Sequence, residues 1–365
     1  MFRKTFKKRK KRKVLIIGSN PNLPGGISTW TREMISHEDQ KYLLFFIDSS
    51  FGKKGRPKSK LALFVSSFFR NSKTFLLFLT FLLLKTPQII HSSTTSSPNA
   101  LKREVLFSRI ASLFKSKYIV HFHCTIDEFL EGRKGEKILT KLVSVADGFF
   151  CLNKKSIDSV LRVGNEVTIL KVFHVPNFID DDYLLNHKII KSKVTDVIFV
   201  SRIQIKKGWY EYTNLAKQHP NITFNVVGPN LDDLNLNCLP SNVVYHGKKS
   251  RDEIFSLLDK SDIFVFLTHY EEGFSMVLLE AMSRGLPTLC SNTESIEEMI
   301  ESSGGLCCDY SNNDQVNQCF STLVQNEQLR KSMSIFNVSK VRNFYLKSKV
   351  IPTVFKYYST IDKVD

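Results

Sequence analysis

Short apolar runs recur along the first half of the chain, at Val14–Ile17, Tyr42–Ile47, Gln88–His91, Tyr118–His121 and Gly148–Leu152. Between them, Ile27–His37, Leu61–Lys85 and Asn99–Phe114 have the length and spacing of helices. Runs that are apolar throughout, alternating with helices, are what a parallel sheet covered on both faces requires. The second half repeats the scheme. Val197–Val200, Ile222–Val227, Val243–His246, Ile263–Leu267 and Thr288–Cys290 read as strands. Gly208–Gln218, Ser250–Leu258, Ser275–Arg284, Ser295–Glu301 and Asp314–Asn326 read as helices. Between the halves, Val172–Lys193 carries Pro176, Asn177 and three consecutive aspartates, and reads as a connection. The pattern predicts an α/β chain of two Rossmann-like parallel-sheet domains, with a cleft between them at the carboxyl ends of the strands. The first domain is expected at 1–175, a hinge at 176–193, the second domain at 194–342 and a closing segment at 343–365.

A length of 365 residues suits two domains, and 42% hydrophobic with 24% charged residues excludes a wholly disordered or membrane-embedded chain. Seven scattered cysteines with no C-x-x-C pair support neither a disulfide framework nor a zinc site and predict reduced thiols in the cytoplasm. The net charge of +17 is concentrated. The arm Arg3–Lys13 has nine basic residues and no acidic one, and Lys53, Lys54, Arg56, Lys58 and Lys60 add five. Such an arm suits nucleic acid, anionic lipid or solvation equally well. Val14–Ile17 is too short for a signal-peptide core. Phe75–Leu84, interrupted only by Thr80, would span roughly 15 Å as a helix, about half a hydrocarbon core. Arg70 and Lys73 lie just upstream, so a core helix or a surface-bound one is expected rather than a crossing.

The densest chemistry lies in Thr268–Pro287. There a strand ending at Leu267 leads to a loop with Glu271, Glu272 and Gly273, then to a helix that stops at Gly285 before Pro287. A helix start at the carboxyl edge of a sheet is an anion site. Glu272 and Glu280 are eight residues apart, poor partners for phosphate but good acceptors for sugar hydroxyls. The spacing Glu272 to Glu280, with Ala281-Met282 and Gly285-Leu286-Pro287, resembles the retaining glycosyltransferases of GT-B fold, family four, also called glycosyl transferases group one. The resemblance implies that Glu280 holds the nucleotide ribose and Glu272 contacts donor-sugar hydroxyls. It places the backbone of Gly273, Phe274 and Ser275 near the sugar and phosphates. Phe199–Gly208 is similar to the family's first strand and loop of the second domain, with Arg202 and Lys207 at the positions that clamp the diphosphate; Ser201 stands where the family usually has Gly. Two such cations would stabilise a departing diphosphate.

Weaker parallels run from about Val14 to Ile300. Pro24-Gly25-Gly26-Ile27 resembles the glycine loop facing donor and acceptor, and Ile89–His91 and Val120–His123 resemble strand ends bearing histidines near the reaction centre, with His123 expected to line the site. Val226-Val227-Gly228 and Tyr245-His246-Gly247 resemble the strand ends around the base, and Pro176-Asn177 the hinge, where Phe178 replaces a usual Gly. Asp180-Asp181-Asp182 matches an Asp-x-Asp metal signature but follows the hinge, so it reads as a solvated linker and no metal is expected.

The family implies a metal-independent, retaining hexosyl transfer from a nucleotide diphosphate sugar to an acceptor hydroxyl, with no cofactor and by front-face displacement. It also implies that the closing segment, with Phe344, Tyr345, Val350, Ile351, Val354, Phe355 and Tyr358 at near-helical spacing, packs on the first domain and that Pro352 bends or restarts its helix. The basic, apolar first domain points to an anionic membrane surface, the inner face of the cytoplasmic membrane, and a lipid-linked oligosaccharide acceptor of capsule or cell-envelope synthesis. Two alternatives stay open: a nucleotide-sugar epimerase of related fold, and a nucleic-acid-binding protein, disfavoured because no aromatic-basic interleaving accompanies the arm.

Overall fold

The computed structural model describes residues 11–23, 25–50, 59–130 and 132–363. Pro24, Lys53, Lys54, Arg56, Lys58 and the basic arm up to Lys10 lie outside them. The chain divides into two compact units: residues up to Val175 together with those from Thr353 onward, and Pro176–Pro352.

In the first unit, β1 (Arg12–Gly18), β2 (Tyr42–Asp48), β3 (Ile89–Thr94), β4 (Lys117–Phe122), β5 (Gly148–Cys151) and β6 (Val172–His174) form one parallel sheet in the order β2-β1-β3-β4-β5-β6. Val14 to Ile17 are all fully buried, because helices cover both faces: α1 (Gly26–Ser36), α2 (Lys60–Lys85), α3 (Pro98–Leu113), α4 (Arg133–Val143) and α5 (Lys154–Val163). β6 corrects the sequence reading, which assigned Val172 onward to the connection. Three half-exposed residues make no apolar run, and pairing with Phe149–Cys151 makes them a strand.

The helix α2 is longer than its uninterrupted apolar run. By length and composition alone Val65–Lys85 suffices to cross a membrane, which the short apolar count understated. One face is spent on the core, where Phe78 and Leu82 are fully buried and Phe78 stacks on Phe107 with ring centres 4.4 Å apart. The other exposes Val65, Phe69, Leu76 and Leu83 along one stripe, with Phe68 and Leu84 beside it; most of these side chains are over 60% exposed.

The second unit repeats the architecture with β7 (Asp196–Val200), β8 (Thr223–Val227), β9 (Val243–Tyr245), β10 (Ile263–Phe266), β11 (Thr288–Ser291) and β12 (Gly305–Cys308), in the order β12-β11-β10-β7-β8-β9. Its helices are α6 (Trp209–Gln218), α7 (Arg251–Lys260), α8 (Met276–Ser283), α9 (Glu294–Ile300), α10 (Asn313–Gln325) and α11 (Glu327–Lys340). Arg330 of α11 is buried, yet its guanidinium donates to the carbonyls of Leu323, Val324, Lys191 and Ser192, tying the loop that leads into β7 to α10 and α11.

A last helix, α12 (Lys347–Ile361), follows a π-helical turn at Val341–Tyr345. The break in the chain is at Leu346, which is extended and pairs with Ile179, rather than at Pro352, which stands within the helix. As the sixth residue of α12, Pro352 has no N–H to give the Ser348 carbonyl, and the helix continues through that missing bond. Asp180 and Asp181 are not merely solvated: Asp180 lies 3.4 Å from the Lys347 ammonium, and Asp181 accepts from the N–H and hydroxyl of Ser348, which anchors the start of α12. Its end belongs to the first unit, where Phe355 stacks on Tyr42 and Tyr358 is fully buried. All seven cysteines are free.

Candidate functional site

In the second sheet β7 and β10 are neighbours, and the chain leaves them toward opposite edges, β8 and β9 on one side and β11 and β12 on the other. Such a switch point opens a crevice beyond the carboxyl ends of the strands. Four segments meet that edge: Ser201–Lys207, Gly228, Gly247 and Thr268–Ser275. Gly228 has φ +143°, and a Cβ there would lie 1.8 Å from the Ser201 carbonyl oxygen, so only glycine lets the ends of β7 and β8 close together. Its N–H donates to the Gly247 carbonyl at 2.9 Å. Gly208, at φ +82°, likewise seats the preceding turn, Ile205–Lys207, against the Leu267 carbonyl.

That turn carries Lys207 onto Glu272. The two form an ion pair in which Lys207 is only 7% exposed, with its ammonium 4.8 Å from the centre of the Tyr270 ring. Arg202 is exposed, and its guanidinium has no ion-pair or hydrogen-bond partner among the described residues. The loop bearing Glu272 is pinned from several elements. Ser291 donates to the Thr268 carbonyl at 2.6 Å, and the hydroxyl of Ser295 donates to the Glu272 carbonyl. His269 lies 3.0 Å from Glu211 and stacks on Tyr310. Gly273 and Phe274 lead into Ser275, whose hydroxyl accepts from the Leu278 N–H at 3.3 Å and caps α8. Glu280 follows on α8, 3.5 Å from Arg251. Burial pushes the Glu280 carboxyl up to about 7, against the pull of Arg251.

In the first unit, Gly25 has φ +121°, faces open space and precedes α1, which begins at Gly26. From α1 the buried Trp30 reaches the rings of His91, His121 and His123, with centres 4.8–5.6 Å away. His91 is no strand-end residue, contrary to the sequence reading: it is the third residue of β3, bonded to the Tyr358 hydroxyl at 2.6 Å and to His121 at 3.1 Å. Burial holds His91 and His123 down at about 3 and His121 well below its ordinary value, so all three are neutral at pH 7. Only His123 stands past the end of its strand. Both its ring nitrogens, and the Trp30 indole N–H, are buried with no hydrogen-bond partner among the described residues, which leaves them available to a ligand.

Nine of the twelve residues singled out from the sequence, Arg202, Lys207, Gly228, Gly247, Glu272, Gly273, Phe274, Ser275 and Glu280, lie on the second unit, around its switch-point edge and on α8. Gly25, Gly26 and His123 belong to the first unit. Arg251 and Trp30 escaped notice, Arg251 because a cation after the helix-capping Ser250 has no local mark of a carboxylate partner 29 positions on.

Comparison with known proteins defines the class. Residues 184–337 match the family model for glycosyl transferases group 1. The chain is 27% identical over 209 residues to N,N'-diacetylbacillosaminyl-diphospho-undecaprenol alpha-1,3-N-acetylgalactosaminyltransferase of Campylobacter jejuni, an alignment covering 52% of this chain and 54% of that protein. It is 27% identical over 117 residues to an uncharacterized 41.2 kDa protein in the cps region of Klebsiella pneumoniae, 32% of each. The chain thus spans between a third and about half the length of these curated relatives. Among solved structures, Anabaena Alr3699/HepE in complex with UDP superposes with TM-score 0.73 at 14% identity, covering 96% of this chain and 100% of that one. Sucrose-phosphate synthase of Thermosynechococcus elongatus gives 0.75 at 12%, covering 97% and 100%. The fold is GT-B. The segment that matches glycosyl transferases group 1 lies within the second unit and includes Glu272 and Glu280.

Proposed function

We propose that this chain is a retaining, metal-independent glycosyltransferase that moves a hexosyl group from a nucleoside diphosphate sugar to an acceptor hydroxyl. Its donor site would lie on the second unit and its acceptor site on the first. The observation that carries this is the switch-point edge, where an exposed Arg202, the Lys207–Glu272 pair and the N-terminus of α8 converge, with Glu280 on the same helix. Arg202 and the backbone amides of Gly273 to Ser275, which lead into α8, would receive the diphosphate. Glu272 would accept sugar hydroxyls, which loosens its hold on Lys207 and releases that cation to the phosphates. Glu280 would accept from the ribose diol. The C1–O bond to phosphate breaks through an oxocarbenium-like state, the electron pair leaves with the diphosphate, and the acceptor oxygen bonds C1 on the same face while its proton passes to the departing phosphate oxygen. His123, neutral and unpartnered, would hydrogen-bond a neutral hydroxyl rather than an anion.

The Campylobacter relative's name specifies a diphospho-undecaprenol-linked substrate, and the Klebsiella relative lies in a cps region. These support a lipid-linked glycan acceptor in cell-surface polysaccharide synthesis at the inner face of the cytoplasmic membrane. The outer stripe of α2 supports contact with that surface: it is apolar, and the helix has Arg70, Lys73 and Lys85 but no acidic residue. Calorimetry with UDP, GDP and ADP and their glucose conjugates tests the donor reading. Saturable binding lost in Arg202→Ala is expected; no binding of any of them contradicts it.

A further inference from the structure

Glu280 and Arg251 form a contact that the donor reading does not explain. Arg251 is the first residue of α7, and its Nε lies 3.5 Å from Glu280 Oε1. Yet among the described residues that Nε makes no well-directed hydrogen bond, so charge leads the pairing and no bidentate fork forms. What fixes the guanidinium is aromatic. It lies 4.4 Å from the centre of the Tyr183 ring, which itself stacks on Phe255 at 4.2 Å, and the Tyr183 hydroxyl donates to Asp252 at 3.1 Å. The neighbouring cation Arg284, one turn beyond Glu280 on α8, is committed to Asp259 at 2.6 Å and to the Tyr183 carbonyl. Of the charged groups around this part of α8, from α7, from the Tyr183 turn and from α8 itself, Arg251 is therefore the one that acts on Glu280.

We propose that Arg251, clamped on the face of Tyr183, is the positioning residue that holds Glu280 as an ionised carboxylate able to accept both hydroxyls of a ribose. This rests on the donor reading above and adds what keeps its ribose acceptor functional. A protonated Glu280 offers a donor where two acceptor contacts are needed. Burial favours that protonated form and Arg251 opposes it, so loss of the cation moves protonation of Glu280 to higher pH. The deficit is then largest on the acid side and fades as pH rises.

The test is calorimetric affinity for UDP, GDP or ADP, whichever the wild-type protein binds, between pH 6 and 9 in the wild type, Arg251→Gln, Arg251→Lys and Glu280→Gln. Titration of the nucleotide's own phosphate is common to all four, so the ratio of variant to wild-type Kd is the readout. For Arg251→Gln the ratio is expected to be about tenfold or more at pH 6.5 and to shrink to threefold or less at pH 9. Arg251→Lys should restore most of the wild-type profile, and in a Glu280→Gln background Arg251→Gln should add no pH dependence. A ratio for Arg251→Gln that is the same at every pH, or close to one throughout, overturns the inference. If Glu280→Gln binds like the wild type, or the wild type binds none of the three nucleotides, the donor reading fails and the inference with it.

Discussion

At the residue scale, Glu272 and Glu280 share a motif but sit in different environments. Glu272 is paired with Lys207 beside the helix start, and Glu280, its side chain 13% exposed, lies farther along α8 against Arg251. A ribose contact remote from the breaking bond helps ground and transition states alike, whereas a contact to the sugar strengthens as its ring flattens. Glu280→Gln is thus predicted to raise the donor KM about tenfold with kcat little changed, and Glu272→Gln to lower kcat about tenfold or more, both read by steady-state kinetics. Wild-type kinetics in both variants would remove these residues from the site. The motif residues were legible because their spacing and flanking glycines lie within one stretch of sequence. The Lys207–Glu272 and Arg251–Glu280 pairs were not, since each joins side chains from different strand-end loops or helices and only the sheet topology brings them together.

At the scale of elements, the strand stretches most easily read, Val14–Ile17 of β1 and the whole of β10, are buried on both faces and so are apolar. What escaped were β6 and β12, short edge strands with part-exposed residues, α11, whose buried face is largely polar at Arg330, Ser334 and Asn337, and α4 and α5, whose lysine-rich outer faces mask a narrow buried stripe at Leu139, Leu142 and Val143 or at Val160. The chain from α12 through Tyr358 to His91 and His121 was equally invisible, being tertiary throughout. It has a consequence for stability. His91 and His123 have folded values near 3, below the ordinary 6.5 of the unfolded chain, and His121 is lowered in the same direction. Between those values the unfolded state binds more protons, so the stabilisation is present above about pH 6.5 and is lost as pH falls toward 3. Each group contributes a slope of about 1.4 kcal/mol per pH unit within that window. Urea unfolding of the first unit should become steeply easier below pH 6.5, less so in His91→Phe. Stability flat from pH 7 to 4.5 would contradict a buried neutral cluster. Tyr358→Phe, which removes one buried hydrogen bond, should cost about 1 kcal/mol at pH 7.5.

At the scale of the whole molecule, a GT-B fold with a group 1 match over residues 184–337 stands beside the exposed apolar stripe of α2, the face proposed to meet a membrane surface. The exposed Phe69 and Leu83 can be changed with little effect on the core, so Phe69→Gln with Leu83→Gln is predicted to weaken sedimentation with phosphatidylglycerol vesicles several-fold while leaving nucleotide affinity unchanged. Removal of residues 1–13 should weaken it further and reduce its dependence on salt. Binding that ignores lipid charge, salt and both changes would remove the membrane from the account. The central claim is sugar transfer, and one measurement reaches it directly: incubate the full chain, in EDTA, with radiolabelled nucleotide sugars and a bacterial polyprenyl-diphosphate-sugar fraction, and follow label into the organic phase alongside released nucleoside diphosphate. The account predicts acceptor-dependent transfer, stoichiometric diphosphate release, and about a hundredfold loss in Arg202→Ala. Conversion of the donor to another sugar nucleotide without acceptor, or transfer abolished by EDTA and restored by magnesium or manganese, would contradict it.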